Sequence, residues 1–278
     1  MIEFIQETLL LLPFLFVTYL VLEAVEAHAG GALERFLERA RSVGPAAGAL
    51  AGAIPQCGVS AAAASFYAGG VISVGTLLAV FLSTSDELIP VLLSERVPAA
   101  LLMKIVGIKV VIALGVGFIV NGVLAFARHI RREVSVHELC EHSRCGCHEH
   151  KGIFIPAIIH TLEIFLFIVV ISGIIELCMH YFGEDSLNTL RLNRPFFGEL
   201  AAGALGMIPN CAVSVAGAKL YLAGAMSPGA LMASSFTGSG LGLLVLFRTN
   251  RNLKENLVVL LVVYVLGVFL GILTGALL

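Results

Sequence analysis

Apolar residues follow one another along this chain in long runs, without the alternation of a strand or the one-sided stripe of a soluble helix. The runs 9–22, 105–127, 153–175 and 257–278 approach or exceed the ~20 residues a helix needs to cross ~30 Å of hydrocarbon. Between them lie apolar stretches that polar or turn-forming residues interrupt: "AIPQCGVS" (53–60), "LSTSDEL" (82–88), "MIPNCAVS" (207–214) and "SFTGSGL" (235–241). The pattern predicts an initial helix over about 4–27, interrupted segments over 44–70 and 71–94, and a long helix over 98–127, with the same order later in the chain. A transmembrane β-barrel would require polar and apolar positions to alternate. The fold expected is an all-α polytopic membrane protein, with about five plus five helical segments.

Composition strengthens that reading. The 278 residues are 58% hydrophobic and 13% charged, and the mean hydropathy is +0.98. Soluble domains carry about 25% charged residues, so roughly half the usual charge is missing. The first span has no basic leader and no small-residue cleavage site after it, so it is expected to stay as a helix. The net charge of −2, with no basic stripe, gives no reason to expect a nucleic-acid partner. The expected partners are the lipid bilayer and an ion, with a homo-oligomer left open.

The interruptions are duplicated. Sliding the chain by 154 residues puts Ile54, Pro55, Cys57, Val59, Ser60, Tyr67 and Ser73 on Ile208, Pro209, Cys211, Val213, Ser214, Tyr221 and Ser227. Matches of Ala and Gly mean little in this composition; matches of Pro, Cys and Tyr mean more. The chain therefore divides into a first repeat (1–127), a polar linker (128–151) and a second repeat (152–278).

Charge decides between parallel and inverted halves. If every segment crosses, Lys and Arg outside the spans divide nine against five. If one interrupted segment per half is re-entrant, the halves invert. Arg35, Arg39, Arg41, Arg128, Arg131, Arg132, Arg144, Lys151, Arg248, Arg251 and Lys254 then share a side, eleven against three. The excess of positive charge on cytoplasmic loops favours the second arrangement. It predicts a cytoplasmic linker, termini outside, and a cytoplasmic-membrane location.

Non-helical backbone at membrane depth is tolerated where protein buries it or where it lines a wet cavity. Pro55 and Pro209 each remove a donor and clash with the preceding turn, so each opens its helix. A half-helix beginning just beyond has free N–H groups and the positive end of a dipole, which favour an anionic group. Cys57 and Cys211 fall at that point, where a thiol gains thiolate character. Gln56 and Asn210 add amides, and Ser60 and Ser214 lie one turn on. Inverted halves would bring both breaks together near the midplane, making these eight residues a candidate substrate site. Proline kinks with cysteines packed as small hydrophobes would explain either break alone, but explain the symmetric pair less well.

Other ionisable residues are candidates for ion or proton coupling: Asp86 and Glu87 in the second break, Glu23, Glu176, and the His160–Glu163 pair at i, i+3. Lys104 and Lys109 are expected to snorkel or pair with a buried acid and receive no role. The linker packs His137, Cys140, His142, Cys145, Cys147, His148 and His150 into fourteen residues. Such a tract binds soft or borderline divalent ions, and its intervening Glu and Arg predict disorder until metal is bound.

With the paired "IPxCxxS" breaks, the duplication and the His/Cys linker together, the whole chain resembles the family of ten-helix heavy-metal exporters. Members of that family are described as arsenic efflux proteins or manganese transporters and are similar to permeases of the arsenical-efflux type. The resemblance implies export of a metal or metalloid such as arsenite, Zn or Mn. Central cysteines suit a thiophilic ion better than Mn, which prefers oxygen ligands. The absence of "GxxxxGK[ST]" points to an ion gradient or a partner as the energy source. No cofactor and no enzymatic activity are expected beyond a bound or carried metal. Two alternatives stay open: a permease for a small sulfur-containing or other anion, and an intramembrane redox enzyme or metal sensor using Cys57 and Cys211.

Overall fold

The computed structural model describes residues 43–54, 57–85, 88–94, 97–127, 194–209 and 211–275, with short helical pieces within 13–20 and 158–170. Every regular element among these residues is a helix. In the first half they are α1 (Val43–Gly52), α2 (Cys57–Ala68), α3 (Val74–Ser83), α4 (Leu88–Ser94) and α5 (Ala99–Ala127). In the second they are α6 (Phe197–Gly206), α7 (Cys211–Leu222), α8 (Pro228–Thr237), α9 (Gly242–Thr249) and α10 (Leu253–Gly275). Each helix of the second set begins 154 residues after its counterpart, at 43 and 197, 57 and 211, 74 and 228, 88 and 242, 99 and 253.

The caps repeat as well. Ser73 is the N-cap of α3 and accepts from the Thr76 N–H at 3.2 Å. Ser227 does the same for α8, accepting from Ala230 at 3.0 Å with Pro228 in the first turn. The turns leading to those caps pass through Gly70 and Gly224, both at φ 73°. That is the left-handed conformation glycine adopts without a Cβ penalty.

Lipid tails are as apolar as leucine, so helices in a bilayer associate by close packing and hydrogen bonding rather than by escape from water. The sequence supplies small residues at four-residue spacing for this purpose. Gly44, Gly48 and Gly52 lie on α1, and Gly198, Ala202 and Gly206 lie at the matching positions of α6. A Cβ on Gly48 would come within 3.0 Å of the Thr76 carbonyl oxygen, and one on Gly52 within 2.6 Å of the Val80 carbonyl oxygen. Gly206 meets Ser234 and Thr237 of α8 in the same way. The long helices repeat the device: Gly117 of α5 lies against Ala79 of α3, and Gly271 of α10 lies against Ala233 of α8. The opposite face of α10 exposes Leu257, Leu261, Val265 and Phe269 at four-residue spacing, the stripe a lipid-facing helix presents.

These contacts fix directions. The start of α1 lies beside the start of α3 (Gly44 against Thr76), and its end lies beside the end of α3 (Gly52 against Val80 and Ser83). The two helices are therefore parallel. α1 has ten residues, roughly 15 Å or half of a ~30 Å core. α2 must return from the end of α1 to the level at which α3 begins, so α1 and α2 run antiparallel. α5 runs antiparallel to α3, with Gly117 beside Gly75. α6, α8 and α10 repeat the arrangement, with Glu199 near Gly229 and Gly203 near Thr237, while Gly271 faces Gly229.

The halves interleave. α9 packs on α2, α4 packs on α7, and α3 touches α8 directly. Among the described residues, each of two apolar cores draws on both halves. One joins Tyr67, Leu78 and Phe81 with Leu243, Val245 and Val259. The other joins Leu82, Leu88 and Ile105 with Met232, Phe236 and Leu270.

Candidate functional site

Both proline-containing breaks lie between helices. α1 stops at Gly52 and α2 starts at Cys57; α6 stops at Gly206 and α7 starts at Cys211. The chain leaves each first helix through a tight turn, Ile54 N–H to Ala51 O at 3.1 Å and Ile208 N–H to Leu205 O at 3.0 Å. Pro209 is half-buried within the second break. Pro55, Gln56, Asn210 and the side chains of Cys57 and Cys211 lie outside the described residues, as do Glu23, Asp86, Glu87, His160, Glu163, Glu176 and the linker ligands 137–150. Among the described residues no three His, Cys, Asp or Glu side chains cluster as a metal site.

The second pair of breaks supplies the described polar surface. α3 ends with hydroxyls folded back on its last turn. Ser83 Oγ donates to Val80 O at 3.0 Å, Thr84 Oγ1 to the same oxygen at 2.7 Å, and Ser85 Oγ to Ser83 O at 3.1 Å. α8 ends with Thr237 Oγ1 within reach of Gly203 O at 2.8 Å and Ala233 O at 3.1 Å, tying it to α6. Ser239, in the α8–α9 break, is buried, and its Oγ has no partner among the described residues.

Thr84, Ser85, Leu88, Ser214, Gly217, Leu231, Ser234, Ser235 and Gly238 surround one cavity. Its walls come from the α3–α4 break, from α7 one turn past Cys211, and from the end of α8. The sequence-predicted Ser214 therefore lines it. Its counterpart Ser60 does not. Ser60 is fully buried, and a Cβ added at Gly242 would meet its Cβ and carbonyl oxygen at 2.9 Å and the Phe81 ring at 2.6 Å. Leu88 and Gly242 occupy equivalent positions under the 154-residue shift, and Ser60 and Ser214 have correspondingly different surroundings.

Lys109 receives no role from the sequence, where it is expected to snorkel or pair with a buried acid. It neither snorkels nor ends at the surface: it is fully buried. Its ammonium donates to the Thr84 carbonyl oxygen, to Ser235 O at 2.9 Å and to Ser235 Oγ at 2.6 Å. The Phe236 ring centroid is 5.8 Å away. Thr84 and Ser235 are also walls of the cavity. The signal was position: Lys109 lies ten residues into α5, about 15 Å from its start and farther from its end. That depth is beyond the reach of four methylenes, so a partner inside the bundle was required.

Three stretches among the described residues, Ala99–Leu124, Pro228–Thr249 and Leu253–Gly275, are long and apolar enough to cross a bilayer. Together with the small-residue packing and the paired breaks, they define a multi-pass helical membrane protein. The chain belongs to the family described as "Putative, 10TM heavy-metal exporter", whose model matches residues 8–197, more than half of its length. That match takes in the first proline break, the Asp86–Glu87 break, Lys109 and the His/Cys linker. Neither a curated protein nor a solved structure matches the chain. Family membership makes it a transporter rather than an enzyme.

Proposed function

We propose that the protein exports a thiophilic metal or metalloid ion by alternating access between two inverted repeats, 1–127 and 152–278, driven by an ion gradient. The observation that carries this reading is the pair of half-helices that begin at Cys57 and Cys211 just after proline. Half-helix ends aimed at a shared centre are how broken-helix transporters hold their substrates. Two cysteines at such ends favour a soft ion.

Several contacts support inversion. Tyr67, six residues ahead of the α3 cap, donates a hydrogen bond to Glu255 in the first turn of α10. The start of α8 lies instead against Gly271 and Gly275, near the far end of α10. α3 and α8 therefore set out from opposite ends of α10, as inverted halves require. Arg248, Arg251 and Lys254 then fall at the level where α1 and α3 begin, and Arg194 at the other, in keeping with the eleven-to-three division of charge. Alternating access is supported by the unequal half-sites: Ser60 is packed under Gly242 while Ser214 faces the cavity. Exchange of those two states would carry the site from one membrane face to the other.

The functional test is flux through purified protein in liposomes with a panel of arsenite, Zn²⁺, Cd²⁺ and Mn²⁺. Flux of at least one thiophilic ion is expected, with Mn²⁺ slower. No flux of any of them, with folded protein, would remove the exporter reading. In our reading the linker captures metal on the cytoplasmic face and is not part of the route. Deleting 137–150 should therefore raise the half-saturating concentration and leave maximal flux nearly unchanged.

Orientation has its own test. A single reporter cysteine in the linker, on a background lacking the native linker cysteines, should be shielded from an impermeant maleimide in intact cells. Reporters at either terminus should be labelled. Linker and termini labelled from the same side would mean an even number of crossings per half and no inversion.

A further inference from the structure

We propose that the Lys109 ammonium is a tethered cation: it fills an intramembrane site for a monovalent ion and so takes the place of sodium or potassium in the transport cycle. The described part of the cage is made of oxygen. Thr84 is the C-cap of α3, and its carbonyl oxygen accepts from Nζ. Ser235 lies in the last turn of α8 and offers both its carbonyl, at 2.9 Å, and its hydroxyl, at 2.6 Å. The last four carbonyls of a helix have no partner within it, and the negative end of the dipole lies there. Two such ends, one from each half, converge on one ammonium.

Carbonyl and hydroxyl oxygens of this kind coordinate hard monovalent ions in other broken-helix transporters and in channels. They are poor ligands for a thiophilic metal, so this position is chemically distinct from the cysteine-bearing breaks. A structural strut between two helices would account for one hydrogen bond at each end. It does not account for at least three oxygens around a fully buried charge where α3 and α8 meet, from two residues, Thr84 and Ser235, that also line the cavity. The duplication supplies no second copy. Lys109 corresponds to Val263, and Ser235 corresponds to Phe81, so the equivalent position in the other orientation has neither the ammonium nor the hydroxyl. One tethered charge serves both halves.

The inference deepens the transporter reading, but its first test does not depend on flux. Purified Lys109→Ala should melt below the wild type in choline chloride. It should recover by a saturable shift of roughly 5 °C when Na⁺, K⁺ or NH₄⁺ replaces choline at equal ionic strength and a hundredfold excess over Kd. The wild type should melt at the same temperature in all four salts. If Lys109→Ala cannot be obtained folded, Lys109→Met is measured in the same salts, since it keeps the stem beside Phe236 and empties the cage. A variant indifferent to the cation, or a wild type that responds to Na⁺ or K⁺ as the variant does, would overturn the proposal.

In liposomes, wild-type flux should be unchanged when choline replaces Na⁺ and K⁺, whereas the variant's flux should depend on one of them by about tenfold. Failure of wild-type flux for every substrate would count against the exporter reading alone, because the melting comparison would still decide the cation site.

Discussion

Gly206→Val is expected to leave little folded protein in the membrane, and Gly52→Val to do nearly the same. At Gly206 the helices α6 and α8 are so close that a Cβ would overlap the Ser234 carbonyl and the Thr237 hydroxyl. Neither group can step aside. The carbonyl is backbone, and the hydroxyl already donates to α6 through Gly203 O at 2.8 Å. Forcing even one extra methyl into a well-packed interface costs about 1–3 kcal/mol, and valine adds two more carbons that point at the same backbone. In a bilayer no hydrophobic gain offsets this, because the separated helices are already in an apolar solvent.

Gly107, Gly115 and Gly122 on α5 are the internal comparison: among the described residues, a Cβ there meets nothing within 4 Å. Alanine at those sites should leave the melting temperature unchanged or slightly raised, given an intrinsic helix preference of about 0.8–1.0 kcal/mol over glycine. Thermal melts of the purified variants in detergent check both halves of the statement. A Gly206→Val protein that melts with the wild type would mean that α6 and α8 are not held at this distance.

The spacing that makes those contacts was in the sequence all along. Glycines at 44, 48 and 52, and small residues at 198, 202 and 206, repeat every four positions, which places them on one helix face. Hydropathy alone could not find it, since glycine barely changes the apolar average. The breaks were legible for a different reason. Proline and clustered hydroxyls inside an apolar run are locally costly, and their recurrence after 154 residues marked both of them. The structure places helix ends within a residue or two of where those signals fall.

Which interrupted segment turns back was not legible. That depends on which helix α1 lies beside, and the parallel pairing of α1 with α3 is a tertiary fact that no local residue announces. The unequal burial of Ser60 and Ser214 was hidden for the same reason. Identical "xCxVS" stretches give identical expectations, and the difference arises from Gly242 on one side and Leu88 on the other. Lys109 fell between these cases. Its depth in α5 demanded a partner, but naming Thr84 and Ser235 required knowing that α3 and α8 end at the same level.

The largest functional effect is expected at the cysteines that open α2 and α7. A thiolate binds a soft ion far better than a serine hydroxyl, which stays protonated near neutral pH and offers a hard, neutral oxygen. Cys57→Ser and Cys211→Ser should each raise the half-saturating concentration of arsenite or Cd²⁺ by more than about tenfold, since even groups that only support a metal ligand are worth about 10–100-fold. The double variant should show no saturable flux. Cys178→Ser, which has no counterpart under the 154-residue shift, should transport like the wild type. The substitution is nearly isosteric, so melting temperatures should stay close to the wild-type value, which separates loss of a ligand from loss of fold. Mn²⁺ provides the second axis, because an oxygen-preferring ion should lose much less than a thiophilic one. A double serine variant that still carries arsenite or Cd²⁺ at the wild-type rate would end the thiolate site. The breaks would then serve as gates, and the hydroxyl-lined cavity between Thr84, Ser214 and Ser235 would become the place to look for the substrate, together with Asp86 and Glu87, which follow Ser85 in the sequence.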